Sequence, residues 1–244
     1  MYKLKIRRII AFISLMIFPL TLNYFSPYVS VTAAFDGVIA GSILLFIALL
    51  ITAIFFRRTW CAYICPVAAI SDFSEKINNR NVNRKQLRIV RYTIFTIWFS
   101  MLMLGFLLAS KLPSINPFYM TEKIISVDEP FKFLTYYAVL FTLIILTLSI
   151  GKRGACHSVC WMSPFLVAGA YIGDTLNLPQ IRMLSNPSDC IACSKCNKVC
   201  PMSIDVMVEL KKGTIASYDC INCSECEVVC PKNVLKLGIA QRRS

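Results

Sequence analysis

Residues 190–201 read CIACSKCNKVCP, and residues 220–231 read CINCSECEVVCP. In numbered form these are Cys190-x2-Cys193-x2-Cys196-x3-Cys200-Pro201 and Cys220-x2-Cys223-x2-Cys226-x3-Cys230-Pro231, 30 residues apart. Three cysteines at intervals of three wrap a short loop around one iron–sulfur cube. The fourth sits on the helical turn that follows, and the proline after it closes the loop. In the bacterial two-cluster spacing each run gives three thiolates to one [4Fe-4S] cluster and its fourth to the other. The pattern assigns Cys190, Cys193, Cys196 and Cys230 to cluster 1, and Cys220, Cys223, Cys226 and Cys200 to cluster 2. Zinc is the competing metal, because paired C-x2-C spacings also build zinc ribbons. A zinc site takes four ligands, however, and would leave half of each run idle. Disulfides are disfavoured, since eight thiols at cluster spacing point to a reducing compartment.

Outward from these runs the chain is too apolar for an ordinary soluble domain. Of its 244 residues 57% are hydrophobic, and the mean hydropathy is +0.62. Four segments without a charge, 9–28, 37–56, 92–110 and 133–150, approach the ~20 residues that a helix needs to cross a bilayer. The expected fold is an α-helical membrane protein with four transmembrane helices as two repeated hairpins, plus a small α+β two-cluster ferredoxin domain. The expected division is 1–180 for the membrane domain and 181–244 for the ferredoxin-like domain, with 174–189 as a linker.

Charge gives the orientation. All but Lys111, Lys123 and Lys132 of the 26 basic residues fall at the chain ends or in the loops on one side of the spans. The positive-inside rule makes that side cytoplasmic. Both termini and the ferredoxin domain then face the cytoplasm of a prokaryotic cell, with the helices multi-pass in the inner membrane. The net charge of +13 follows from topology and anionic headgroups, so no nucleic-acid partner is expected. Lys3 to Arg8 followed by an apolar run loosely matches a signal peptide. A retained first helix is the better reading, because cleavage would break an internal repeat.

That repeat pairs Asn23 to Tyr28 with Asn116 to Tyr119, and Arg57-Arg58-x2-Cys61-x3-Cys65-Pro66 with Lys152-Arg153-x2-Cys156-x3-Cys160-Trp161. The cysteine pairs lie 95 residues apart, each at the basic inner end of a hairpin. At spacing i, i+4 both thiols of a pair share one helix face, beside cations that favour thiolate. Three readings stay open for Cys61, Cys65, Cys156 and Cys160: a shared additional metal or iron–sulfur centre, two redox-active dithiols, or inert core cysteines. The short apolar stretches after each pair, Val67–Ile70 and Met162–Ile172, are expected to lie along the interface as amphipathic helices.

Other signals exclude more than they assign. His157 is the only histidine, too few for a bis-histidine haem, and is expected as a partly buried interfacial residue. The spans carry no Asp, Glu, Lys or Arg, so ion pumping by this chain alone is disfavoured. No Gly-rich nucleotide signature appears, and no catalytic residue is assigned. Tyr24, Phe25, Tyr28, Phe118 and Tyr119 form an aromatic belt or shape a quinone pocket near Pro27 and Pro117.

The combination of Trp60-Cys61-Ala-Tyr-Ile-Cys65-Pro66, Cys156-His-Ser-Val-Cys160 and two eight-iron cysteine runs resembles the membrane polyferredoxin family. That family includes the quinol-dehydrogenase-type membrane subunit of periplasmic nitrate reductase systems and the iron–sulfur protein of nitrous-oxide reductase maturation. The resemblance implies a four-helix anchor, two [4Fe-4S] clusters at the cytoplasmic face, and electron exchange with a quinone pool or a redox partner protein. Cys61 and Cys65 match the first C-x3-C-P motif. Cys156 and Cys160 match the second only in part, since Trp161 stands where proline is expected. The alternative function is a metal-handling (copper) reductase or assembly factor, since soft thiolates suit Cu(I).

Overall fold

The structure, a computed structural model, describes residues 2–109, 114–121, 126–127 and 130–241. Long apolar helices come first. α1 (Tyr2–Thr21) passes through a 3-10 turn into α2 (Pro27–Phe35). Pro27 opens α2, where its fixed φ suits a first turn, and the Ser26 hydroxyl caps it by accepting the Val29 N–H at 3.3 Å. A short β1 (Val38–Ala40) precedes α3 (Gly41–Phe56) and pairs in parallel with β2 (Ser114–Asn116). Between these strands lie α4 (Trp60–Tyr63), α5 (Pro66–Ser74) and α6 (Arg84–Leu108); after β2 come α7 (Pro130–Ile150), α8 (Gly154–Ser158) and α9 (Ser163–Thr175). The final segment holds β3 (Gln180–Ser185), α10 (Lys195–Val199), α11 (Val206–Leu210), α12 (Glu225–Val229) and β4 (Leu235–Ala240), with β3 and β4 antiparallel.

Among the described residues three helical runs are long and apolar enough to cross a membrane: Tyr2–Phe35, Arg84–Leu108 and Phe131–Ile150. The segment expected as a second span, 37–56, is shorter. Residues 38–40 are strand, and the 16 residues of α3 reach ~24 Å against a hydrocarbon core of ~30 Å. The first run starts at Tyr2 rather than at 9, and its helix breaks at Leu22–Phe25. Of the loop lysines, Lys111 and Lys123 lie outside the described residues. So do Ser110 at the end of the third expected span, and Met1 and residues 242–244 at the ends of the two expected domains.

Two expectations need correction. The stretches after each cysteine pair do not lie free on an interface; they are helices packed inside the bundle. α5 runs antiparallel to α1, with Asp72 on Arg7 and Ile64 O accepting from Ser14 Oγ at 2.5 Å. α9 runs beside α3 in the same direction: Phe165 stacks on Phe46 at 5.5 Å, and Cβ atoms on Gly169 and Gly173 would strike Leu50 O and Ile54 O. Only small residues permit that approach. The second correction concerns 174–189, which is no linker. Gln180 is fully buried, donating to Ile54 O at 2.8 Å and Ala170 O at 3.0 Å, and residues 180–185 form β3.

The cluster domain sits on one end of the helical bundle. It meets the N-termini of α1 and α6 and the C-termini of α3 and α7. Arg7 reaches Glu225, Arg57 reaches Ala216 O and Ser217 O, Arg84 reaches Asp219, and Lys152 reaches Lys198 O.

Candidate iron–sulfur centres

The two cysteine runs fold alike. In each, residues after the first and second cysteine take the left-handed conformation: Ala192 and Ser194 (φ 54° and 56°), Asn222 and Ser224 (φ 55° and 61°). Ser203 and Asn233, both at φ 50°, repeat the device after the prolines. Alternation of left- and right-handed residues turns successive N–H groups inward and makes an anion-binding nest. The chain then enters α10 or α12, which pack on each other and carry the third cysteine of each run.

Two small pockets result. One is lined by Cys190, Cys193, Cys196 and Cys230; the other by Cys200, Cys220, Cys223 and Cys226. The structure thus gathers each sequence-assigned set around one pocket, with Cys200 and Cys230 crossing over. Burial pushes the Cys223 thiol up to about 12 and those of Cys200 and Cys220 up to about 11. Thiols so placed ionise only in company with a cation, which the iron of a bound cluster provides. Backbone N–H groups of Ile204, Asn222 and Glu225 point at the Cys200, Cys220 and Cys223 sulfurs and favour their charged forms. Among the described residues no three His, Cys, Asp or Glu side chains are grouped to hold a single metal ion. Sulfurs around a cube stand farther apart than four on one zinc, so the donor set fits a cluster better than a ribbon.

The other four cysteines converge as well. Cys61, Cys65, Cys156 and Cys160 all line a third cavity of about 880 Å³. This cavity extends to Asn23, Pro27, Tyr28 and Met120 near the opposite turn of the bundle. Of the five aromatics proposed for a pocket there, Phe25 and Tyr28 line it; Tyr24, Phe118 and Tyr119 do not. Burial raises the Cys65 thiol well above its ordinary range and pushes Cys160 up to about 12. The indole Nε1 atoms of Trp60 and Trp161, both on the cavity wall, are buried without a protein acceptor. His157 is fully buried rather than partly so, and burial chiefly drives its pKa down to about 3. It is neutral at pH 7.

Sequence reading missed the acids that fasten the domain. Asp219, next to Cys220, takes Arg58, Arg84, Arg88 and Arg91 at 2.9–3.2 Å. Burial alone would raise its carboxyl, but Arg58, Arg91 and Arg84 together hold it well below the usual carboxylate range. Asp72 joins the buried Arg7 and Arg153, each at 3.0 Å. One signal was available: only 13 acidic residues occur in the chain, and Asp219 directly precedes a cysteine run while Glu225 and Glu227 lie within it.

Two family profiles match the chain: a 4Fe-4S binding domain over residues 38–85 and a 4Fe-4S dicluster domain over residues 182–231. A curated protein of Escherichia coli (strain K12), provisionally named electron transport protein YccM, is 24% identical over 189 residues. The alignment covers 73% of this chain and 51% of that protein, so the chain spans about half the length of the curated relative it matches. No solved structure matches. The chain therefore carries ferredoxin-type 4Fe-4S domains and two [4Fe-4S] clusters.

Proposed function

We propose that this is a membrane-bound relay that exchanges electrons between a quinone in the central cavity and a redox partner protein at the cluster domain. Cys190, Cys193, Cys196 and Cys230 hold cluster 1; Cys220, Cys223, Cys226 and Cys200 hold cluster 2. Residues 1–180 form the membrane domain, with α3 as a short fourth span in a pair of hairpins, and 181–244 the cluster domain. The basic end, with both termini, faces the cytoplasm. Membership of the membrane polyferredoxin group fits this arrangement.

One observation carries the reading: a single mostly apolar cavity joins the far turn of the bundle to Cys61, and Cys61 in turn packs against the cluster-domain core. Its volume, about 880 Å³, suits a quinone head with part of its tail. Trp60 and Trp161 offer indole N–H groups to the carbonyls at one end; Asn23, Ser26 and Thr121 offer polar contacts at the other. Oxidising one quinol to quinone releases two electrons and two protons. A bound [4Fe-4S] cluster supplies one-electron exchange with no bond to substrate. The apolar walls hold the ring, keep water from it, and leave the protons to exit at the polar end.

The test mixes the anaerobic, detergent-solubilised protein with a short-chain quinol or quinone and follows cluster absorbance. Val139→Trp fills part of the cavity from α7, a helix that carries no cysteine. It is expected to slow quinone-linked electron exchange by roughly tenfold or more and to leave reduction by dithionite unchanged. Equal quinone-linked rates in the two proteins sink the proposal.

A further inference from the structure

The 4Fe-4S binding profile over residues 38–85 contains two cysteines, Cys61 and Cys65. Two thiolates are half of a cluster's ligand set. The structure supplies the other half from the second repeat. We infer that Cys61, Cys65, Cys156 and Cys160 together ligate a third iron–sulfur cluster, held between the tips of two loops that fold back into the bundle.

The two arms are built alike. Arg58, Cys61 and Cys65 each recur 95 residues later as Arg153, Cys156 and Cys160. After the second cysteine of each arm a helix turns back, α5 opening on Pro66 and α9 carrying Pro164 in its first turn. The α5 amide of Val67 donates to the Cys65 sulfur, and the α9 amide of Ser163 donates to the Cys160 sulfur. Both helix N-termini thus meet the place where anionic sulfur would sit. All four cysteines line the same cavity, and Cys65 interacts electrostatically with each of the other three.

Charge balance points the same way. A cube in its oxidised resting state with four thiolates carries a net charge of about −2. Two fully buried cations stand ready to offset it. Arg58 hydrogen-bonds the Cys61 thiol and lies near Cys160; Arg153 lies near Cys156 and donates to Cys61 O at 3.1 Å. Arg58 is not wholly occupied by Asp219, since its Nε has no hydrogen-bond partner; Arg153 also pairs with Asp72 and Glu75. A mononuclear copper site is the competing occupant, and metal analysis decides between the two.

The position adds a role. Arg153 also interacts with Cys223 of the cluster 2 pocket, and Arg58 contacts Asp219 beside Cys220. The third site therefore lies at the end of the central cavity nearest the cluster 2 pocket, so one electron passed inward leaves this site oxidised and cluster 2 reduced.

The full-length protein, purified without oxygen, is assayed for iron and acid-labile sulfide per chain and by EPR and Mössbauer spectroscopy. About twelve of each are expected. Cys61→Ser and Cys156→Ser, singly and together, are expected to remove about four iron and four sulfide while the dicluster EPR signals persist. Those signals also report that the variants are folded. A wild-type count near eight with unaltered variants overturns the inference, as does copper bound in place of iron at these thiols. Should the variants unfold, the wild-type Mössbauer count of cubes decides alone. The inference rests on the proposed relay only for the direction in which it places the site: quinone exchange in an eight-iron protein would keep the relay and discard the third cluster.

Discussion

The two cysteine-lined pockets share the same cysteine spacing and the same left-handed residues, yet their surroundings are opposite. At the first pocket Cys193 is exposed, and Ile191, Lys195, Pro231 and Lys232 around it are exposed too. At the second, Cys200 and Cys223 are buried among Met183, Met202, Ile204 and Ile221, with Asp219 and its arginines next door. The motif sets the shape of a cluster site; the shell around it sets potential and access. Under the proposed relay the first pocket would be the port for a partner protein, while the second lies beside Asp219 and the arginines of the helical bundle.

The strongest way to break this comparison is to remove a ligand from each side. Cys193→Ala is expected to cost about four iron per chain, because the exposed loop gives way without disturbing the core. Cys223→Ala is expected to cost nearly all of the iron held by the cluster domain, since Cys223 sits inside the core that Cys196 and Cys200 share. Iron analysis after anaerobic purification measures both. Equal losses would mean that the buried pocket is no more structural than the exposed one.

Next in size is Asp219→Asn. The carboxylate is 5% exposed and serves Arg58 and Arg91, each 2% exposed or less. Removing one partner of a buried ion pair costs roughly 3–5 kcal/mol, read as a lower unfolding temperature. Losing the negative charge also raises the potential of cluster 2, by on the order of 50 mV for a charge ~10 Å away at an effective dielectric of ~30. Cluster 1, farther off, is expected to stay within error in the same redox titration. A matching shift in both would dissolve the distinction between the pockets.

How much of this was legible depends on whether the cause was local. Cysteine spacing is a local constraint, so the grouping of the cysteines around two pockets and the paired C-x3-C motifs could be read directly. Apolar runs are local too, but their ends are not: α3 loses residues 38–40 to a strand whose partner, 114–116, is distant in sequence. Gln180 and Arg182 concealed β3, because the polar members of the alternating Gln180–Met183 stretch sit on the buried face, held by Ile54 and Asp174 outside the strand. The basic residues taught the most. Composition placed them at one end of the bundle, but not that Arg7, Arg58 and Arg91 are buried against Glu225 and Asp219. Thus much of the charge assigned to lipid headgroups instead clamps the cluster domain.

A smaller effect tests whether the two loops truly share one backbone. Ser194 and Ser224 both pay the steric penalty of the left-handed region, where glycine fits freely. Ser194→Gly and Ser224→Gly are each expected to raise stability by up to about 1 kcal/mol, the relief being partly offset by glycine's greater freedom when unfolded. Thermal unfolding of the two variants checks it. Shifts of opposite sign would show that the pockets differ in backbone as well as in shell.

The smallest change is expected at Lys3, whose Nζ lies 3.0 Å from Glu227 Oε1 while its side chain is 62% exposed. Glu227 adjoins Cys226, so in sequence this pair stands as close to cluster 2 as Asp219 does. Water and salt screen it, and holding a long lysine in place costs side-chain entropy, so Lys3→Ala is expected to change stability by less than about 0.5 kcal/mol. The potential of cluster 2 should not move within error. An effect as large as that of Asp219→Asn would mean that proximity in the chain, rather than burial, governs how charge reaches the clusters.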